Sequence, residues 1–287
     1  MLSGVLLVDK PKGPTSSQVV EGIKNRFRVK AGHGGTLDPL ATGLLLVLVG
    51  QATKFSEFFL KLSKAYITKA KLGEITDTYD AEGRIVEQRE VKVDCEQVKE
   101  ALGSFQGRIK QKPPPYSAKK IGGKRAYELA RKGVMVDIEP VEVEVYRAEL
   151  LGCKIPYVEL YYEVSSGTYI RSLVHELGLA LSCGAHVVEL RRTKIGPFEV
   201  SMAVSYATLM GLEDIQGLLI DPGDALSFMP KVSLRGHLAQ RIRKGAFVEL
   251  RSEAEETFVR LYEEENFIGV GLIKGRFLRP YRLLVSP

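Results

Sequence analysis

Asp38 lies in the run Gly32-His33-Gly34-Gly35-Thr36-Leu37-Asp38-Pro39-Leu40-Ala41-Thr42-Gly43, and no other carboxylate of the chain is displayed in so glycine-rich a turn. Glycines reach backbone angles closed to other residues and let a second molecule approach the main chain, while Pro39 biases Asp38 away from helical angles. Leu44 to Val49 is then a solid apolar run, the pattern of a buried strand. An acid held rigidly before a buried strand invites a chemical explanation, although Asp and Gly are also ordinary turn residues. A phosphate-cradling loop fits poorly, because no Gly-Lys-Ser/Thr ending follows and the glycine spacing misses the dinucleotide fingerprint.

Other residues could also do chemistry. Asp77 and Asp80, in Thr76-Asp77-Thr78-Tyr79-Asp80-Ala81-Glu82-Gly83, form a second acidic turn, and paired carboxylates suit glycoside chemistry. Arg171 falls in the first turn of a helix suggested by apolar Ile170, Leu173, Val174 and Leu177, where the helix dipole disfavours a cation, so a carboxylate partner is expected. Ser166 or Thr168 is expected to cap that helix. His33, His175, His186 and His237 lack metal-ligand spacing, and Cys95, Cys153 and Cys183 are odd in number with no Cys-x-x-Cys pair. Neither a disulfide framework nor a metal site is therefore expected.

The elements that must position these groups follow from periodicity. Val5 to Val8 reads as a strand entering the loop Asp9 to Ser16, with Thr15 or Ser16 capping a helix toward Arg26. A helix is expected over Ala52 to Leu62, an alternating strand over Lys64 to Leu72 with Tyr66 near its head, and a helix near Asp94 to Leu102. Val141 to Leu151 and Val158 to Val164 read as adjacent antiparallel strands, and Val187 to Phe198 as a further one. A break at Asp221-Pro222-Gly223 through Pro230 precedes a basic tail with a helix near His237 to Lys244 and short strands ending at Leu283 to Val285. The class is α+β, with a catalytic domain over 1–229 and a small, mostly β domain over 230–287.

At 287 residues, 45% hydrophobic and 26% charged, the chain has the makeup of a soluble globular protein. Its net charge of +6 leans toward an anionic partner. Between Arg108 and Lys132 the cations Arg108, Lys110, Lys112, Lys119, Lys120, Lys124, Arg125, Arg131 and Lys132 face the single acid Glu128, with Tyr116 and Tyr127 interleaved. That pattern suits phosphates and unpaired bases. Lys112-Pro113-Pro114-Pro115 stiffens the entry to an RNA-gripping insertion at about 117–140. Neither a signal peptide nor a stretch of bilayer length is present, so a cytoplasmic location is expected.

These motifs together resemble the TruB-type tRNA pseudouridine synthases. The likeness rests on the Asp38 loop, on Lys10, Pro11, Gly13, Thr15 and Ser16, on Thr76-Asp77-Thr78 with Asp80, and on Pro113-Pro114 with Tyr116-Ser117-Ala118 and Lys120. Gly167-Thr168-Tyr169-Ile170-Arg171 and the strand from Val187 complete it, so that roughly residues 4 to 200 match in the family's order. The family's commonest loop has Thr where this chain has Gly34, a departure that should loosen the loop. The resemblance implies a pseudouridine synthase fold, with a mixed, largely antiparallel central sheet flanked by helices and loops, and a PUA-like C-terminal domain.

It also implies isomerisation of the T-loop uridine, conventionally tRNA position 55, by base flipping and without a cofactor or metal. Asp38 would be the essential acid and Arg171 its ion-pair partner. Tyr66 would stack on the base and could accept the final proton, Tyr169 and Leu190 would complete the pocket, and His33 would fill the space the base vacates. Lys10, Lys119, Lys120, Lys124 and Arg125 would contact RNA, with the insertion acting as a thumb. The partner is the T-arm stem-loop of tRNA, and the protein is expected to be a monomer away from membranes. Whether Asp38 attacks sugar or base or removes a ribose proton stays open at this level. The competing readings are a non-catalytic RNA-folding module and a base-releasing glycosidase using Asp38 with Asp77 or Asp80.

Overall fold

The two apolar runs nearest the N-terminus become antiparallel neighbours, β1 (Gly4–Lys10) and β3 (Thr42–Val49), buried almost end to end. A computed structural model describes residues 2–116, 120–121, 124–125 and 138–284, and among these ten strands form one sheet. Its order is β14 (Val204–Ser205), β1, β3, β12 (Ala185–Ile195), β4 (Lys64–Leu72), β11 (Tyr157–Val164), β10 (Val141–Lys154) and β7 (Gly107–Gln111). To it are added β2 (Ala31–His33), on β3, and β13 (Phe198–Glu199), on β12. The β1–β14 and β3–β12 pairs are parallel and the others antiparallel, the mixed, largely antiparallel sheet expected.

Helices cover the sheet with the faces their periodicity implied. The Ser16–Phe27 helix, closed by a capping box between Thr15 and Gln18, packs Val19, Val20 and Ile23 onto Leu45, Val47 and Val49. The Ile170–Ala180 helix buries Ile170, Leu173, Val174 and Leu177 against Tyr66, Val158, Leu160 and Leu190. The segment expected as one helix over 52–62 is instead a 3-10 turn, Gly50–Phe55, followed by a short helix, Ser56–Leu60. Gly50 starts it at φ 61°, and a side chain there would collide with the carbonyl of Leu2.

The cysteine expectation is corrected: Cys95, opening the Cys95–Gly103 helix, is disulfide-bonded to Cys153 near the end of β10, across 58 residues of sequence. That helix packs on β10, which brings the two Cα atoms to 6.0 Å, while Cys183 is free and buried. The cap expectation is also corrected. Tyr169, with no side-chain cap, precedes the Ile170–Ala180 helix, and the Thr168 hydroxyl donates to the Ser165 carbonyl instead.

The tail forms β15 (Lys231–Leu234), β16 (Val248–Glu263) and β17 (Asn266–Leu283), a three-stranded sheet whose last two strands are long rather than short. With the Gly236–Arg243 helix it encloses its own core of Leu234, Ala239, Ile242, Leu261 and Ile268. Phe258 and Phe267 then dock on Phe58 and Phe55 of the larger part, with ring centroids 5.1 and 5.6 Å apart. Of the basic insertion, Lys119, Tyr127, Glu128, Arg131 and Lys132 lie outside the described residues. Lys120 and Lys124–Arg125 contribute backbone to a two-stranded ladder, β8 (Lys120–Ile121) with β9 (Lys124–Arg125). A further small ladder, β5 (Glu74–Thr76) with β6 (Ile85–Gln88), frames the Asp77–Asp80 turn.

Candidate active site

The Asp38 loop leaves β2 and enters β3 where β3 runs briefly parallel to β12, with Thr42 opposite Arg191 and Gly43 opposite Arg192. Gly43 has φ 101°, and a Cβ there would lie 2.3 Å from the Arg192 carbonyl oxygen, so no other residue fits this crossing. Arg192 clamps the loop from beneath: Nε donates to the carbonyl of Leu44 (2.8 Å), Nη1 to Thr36 (3.2 Å) and Nη2 to Gly35 (3.0 Å).

The other clamp is the N-terminal Lys-Pro-x-Gly-x-Thr-Ser motif. Ser16 exchanges hydrogen bonds with the backbone of Leu37, and the amide of Gly13 donates to the carbonyl of Pro39 (2.9 Å). Lys10, expected to contact RNA, is fully buried, and its ammonium donates to the carbonyls of Pro11 (2.8 Å), Pro14 (2.8 Å) and Pro39 (3.4 Å). It is a brace and not a surface cation. Burial lowers its pKa to about 8 against the opposing pull of Asp38.

Gly34 sits at an ordinary φ, its amide bonded to Leu46, and a Cβ there would lie 3.0 Å from that of Phe59 and 3.5 Å from that of Leu46. The residue is thus a packing adaptation to Phe59 rather than a source of looseness. Gly34→Thr is expected to cost about 1–3 kcal/mol by overpacking. Differential scanning calorimetry should show a lower melting temperature with turnover retained.

Asp38 meets Arg171 as expected, with Arg171 Nε 2.9 Å from Asp38 Oδ2. The arginine also reaches Asp80 Oδ2 (3.5 Å) through Nη1 and donates to the carbonyls of Thr78 (3.0 Å) and Tyr116 (3.0 Å). The unfavourable helix-dipole position costs about 0.3–1 kcal/mol. Hydrogen bonds to charged groups contribute about 1.5–3 kcal/mol each, so the ion pairs decide the placement.

Asp80 is held in turn by the Thr78 hydroxyl (2.6 Å) and the Glu82 amide (3.1 Å), whereas Asp77 accepts from the Arg84 amide and takes no part in the pair. Tyr79, at φ 64°, stacks on His175 with ring centroids 3.8 Å apart, and burial lowers the His175 pKa.

A cleft of about 300 Å³ opens beside Asp38 and is lined by Leu60, Lys64, Tyr66, Tyr169, Arg171 and Leu190 among others. Its size is at the lower end for ligand pockets. The Asp38 side chain is 36% exposed and that of Arg171 only 5%, so the acid faces the cleft and its partner backs it. Tyr66 and Leu190 come from the adjacent strands β4 and β12, and the buried Gln111 side chain pins both the amide and the carbonyl of Tyr169. His33 ends β2 opposite Val47 and stands on the approach to the loop, outside the residues lining the cleft. Gln111, Lys64 and Arg192 escaped sequence reading, and Ser16 was read as a cap and motif residue without its bond to Leu37; an arginine inside an apolar strand pattern was a usable signal for Arg192.

The chain is similar to known proteins. A profile of "TruB family pseudouridylate synthase (N terminal domain)" matches residues 23–170. Profiles of "tRNA pseudouridylate synthase B C-terminal domain" and "Pseudouridine synthase II TruB, C-terminal" match residues 171–223 and 230–284. A protein of Aquifex aeolicus (strain VF5) described as tRNA pseudouridine synthase B is 45% identical, covering 99% of this chain and 100% of that one. A chain from "Crystal Structure of a Cbf5-Nop10-Gar1 Complex" superposes with a TM-score of 0.74 at 27% identity, covering 99% of this chain and 84% of that one. Another, from "Structure of H/ACA RNP bound to a substrate RNA containing 2'-deoxyuridine", gives a TM-score of 0.75 at 25% identity, covering 99% and 85%.

Proposed function

Because the chain belongs to the TruB family of pseudouridylate synthases, we propose that it converts the T-loop uridine of tRNA to pseudouridine, with Asp38 as the acting carboxylate. The reaction breaks the N1–C1′ bond, turns the uracil and joins C5 to C1′. N1 gains a proton as C5 loses one, so no oxidant or cofactor is consumed. The observation that carries the reading is the Asp38–Arg171 pair at 2.9 Å on a cleft walled by Tyr66, Tyr169 and Leu190.

A uridine in a folded T loop hides its reacting atoms and must be flipped, at a cost of a few kcal/mol. Stacking on Tyr66 repays about 1–3 kcal/mol. His33, on the loop's approach, takes the vacated place, and Tyr66, which lines the cleft, receives the C5 proton. Arg171 pairs with Asp38 and aims it, as a planar guanidinium does better than an ammonium. The protein acts as a monomer in the cytoplasm, with the basic insertion of 117–140 gripping the T arm and the tail of 230–287 as a second RNA-binding domain.

Chemical mapping of pseudouridine on a full-length tRNA transcript tests the reading. One new pseudouridine in the T loop is expected after incubation with the protein, and modification confined to other arms would overturn it.

A further inference from the structure

Lys64 heads β4 and shares a strand face with Tyr66, two residues along. It is 7% exposed and lines the cleft beside Asp38, Tyr66 and Arg171. Its ammonium donates to the carbonyls of Leu60 (2.6 Å) and Leu62 (2.5 Å). An ammonium has three donors, so one is left over. Lys10 differs: all three of its protons meet carbonyls, and Asp38 and Glu82 act on its charge.

No carboxylate among the described residues lies within ion-pair distance of Lys64. Burial, and after it the like-signed charge of Arg192, lowers its pKa to about 8. Buried cations are ordinarily paired. Arg171 is matched by Asp38 and Asp80, and the Arg192 nitrogens donate to three carbonyls, so among the described residues the cleft has a positive excess, to which Lys64 brings a free donor. Capping the end of the Ser56–Leu60 helix accounts for the bond of Lys64 to Leu60, and Leu62 lies just past that end, but neither supplies the missing anion.

A nucleotide whose base enters toward Tyr66 keeps its backbone at the rim, where Leu60 is 46% exposed and its carbonyl already holds the Lys64 ammonium. We propose that Lys64 seats a phosphodiester flanking the flipped nucleotide, donating its remaining N–H to a non-bridging oxygen. The assignment rests on the function proposed above.

The test uses T-arm stem-loop RNAs carrying a neutral methylphosphonate on the 5′ or the 3′ side of the target uridine, measured for both kcat/KM and Kd. One of the two linkages is expected to weaken the wild-type protein about tenfold, the scale of one charge-assisted hydrogen bond. Lys64→Met should lose the same factor on native RNA and nothing further on the neutral RNA, while Lys64→Arg should restore most of the loss. Equal penalties in wild type and Lys64→Met would overturn the proposal. A wild-type protein indifferent to both linkages would do the same, and needs no variant to fold. Absence of turnover on native RNA would contradict the functional reading instead, and the Kd values would still decide the role of Lys64.

Discussion

Asp38→Asn is expected to abolish turnover while leaving the fold and tRNA affinity intact. The substitution keeps shape and most hydrogen bonding but removes the charge, and the loop is held by Arg192, Ser16 and Lys10 rather than by the Asp38 side chain. Loss of a group on which a catalytic unit depends costs roughly 10⁴-fold or more in kcat. Single-turnover kinetics with labelled tRNA should show that loss, and filter binding should give an unchanged Kd. Turnover within tenfold of wild type would remove Asp38 from the chemistry.

Arg171→Leu is the second large effect, and it differs in kind. The leucine leaves the buried Asp80 carboxylate without its guanidinium and takes two hydrogen bonds from the Thr78 and Tyr116 carbonyls. Removing one partner of a buried ion pair costs about 3–5 kcal/mol. Asp38 is partly exposed and tolerates the loss better than Asp80, which favours the lower end. For a chain of this size the melting temperature should fall by roughly 5–10 °C.

With Asp38 no longer aimed, kcat should drop by at least about 10²-fold, the scale of a 1 Å misplacement. Arg171→Lys should rescue little, because one ammonium cannot span two carboxylates and two carbonyls. Circular dichroism melts and steady-state rates on the same preparations check both parts. An Arg171→Leu protein that melts normally would contradict the network.

Local chemistry made Asp38 and Arg171 legible, whereas Tyr66, Tyr169, Leu190 and His33 were legible only through the family resemblance. An acid between glycines and a proline, and an arginine in a helix's first turn, each require a partner that regular structure does not supply, and they prove to be each other's. Lys10 was misread for a physical reason: a lysine in a Pro-Gly loop reads as exposed, and only the folded-back Pro39 carbonyl shows that its protons are used internally. Cys95 and Cys153 meet because a helix crosses β10, which no spacing rule encodes. Gln111 acts through the backbone of Tyr169, 58 residues away, and such a contact leaves no periodic trace.

The account stands most directly on the fate of the uracil. A T-arm stem-loop labelled with tritium at uridine C5 should release tritium to water in step with the appearance of pseudouridine, with RNA mass otherwise unchanged and no free base on chromatography. Free uracil beside an abasic ribose would contradict it, and would make the cleft around Asp38 the site of a glycosidase.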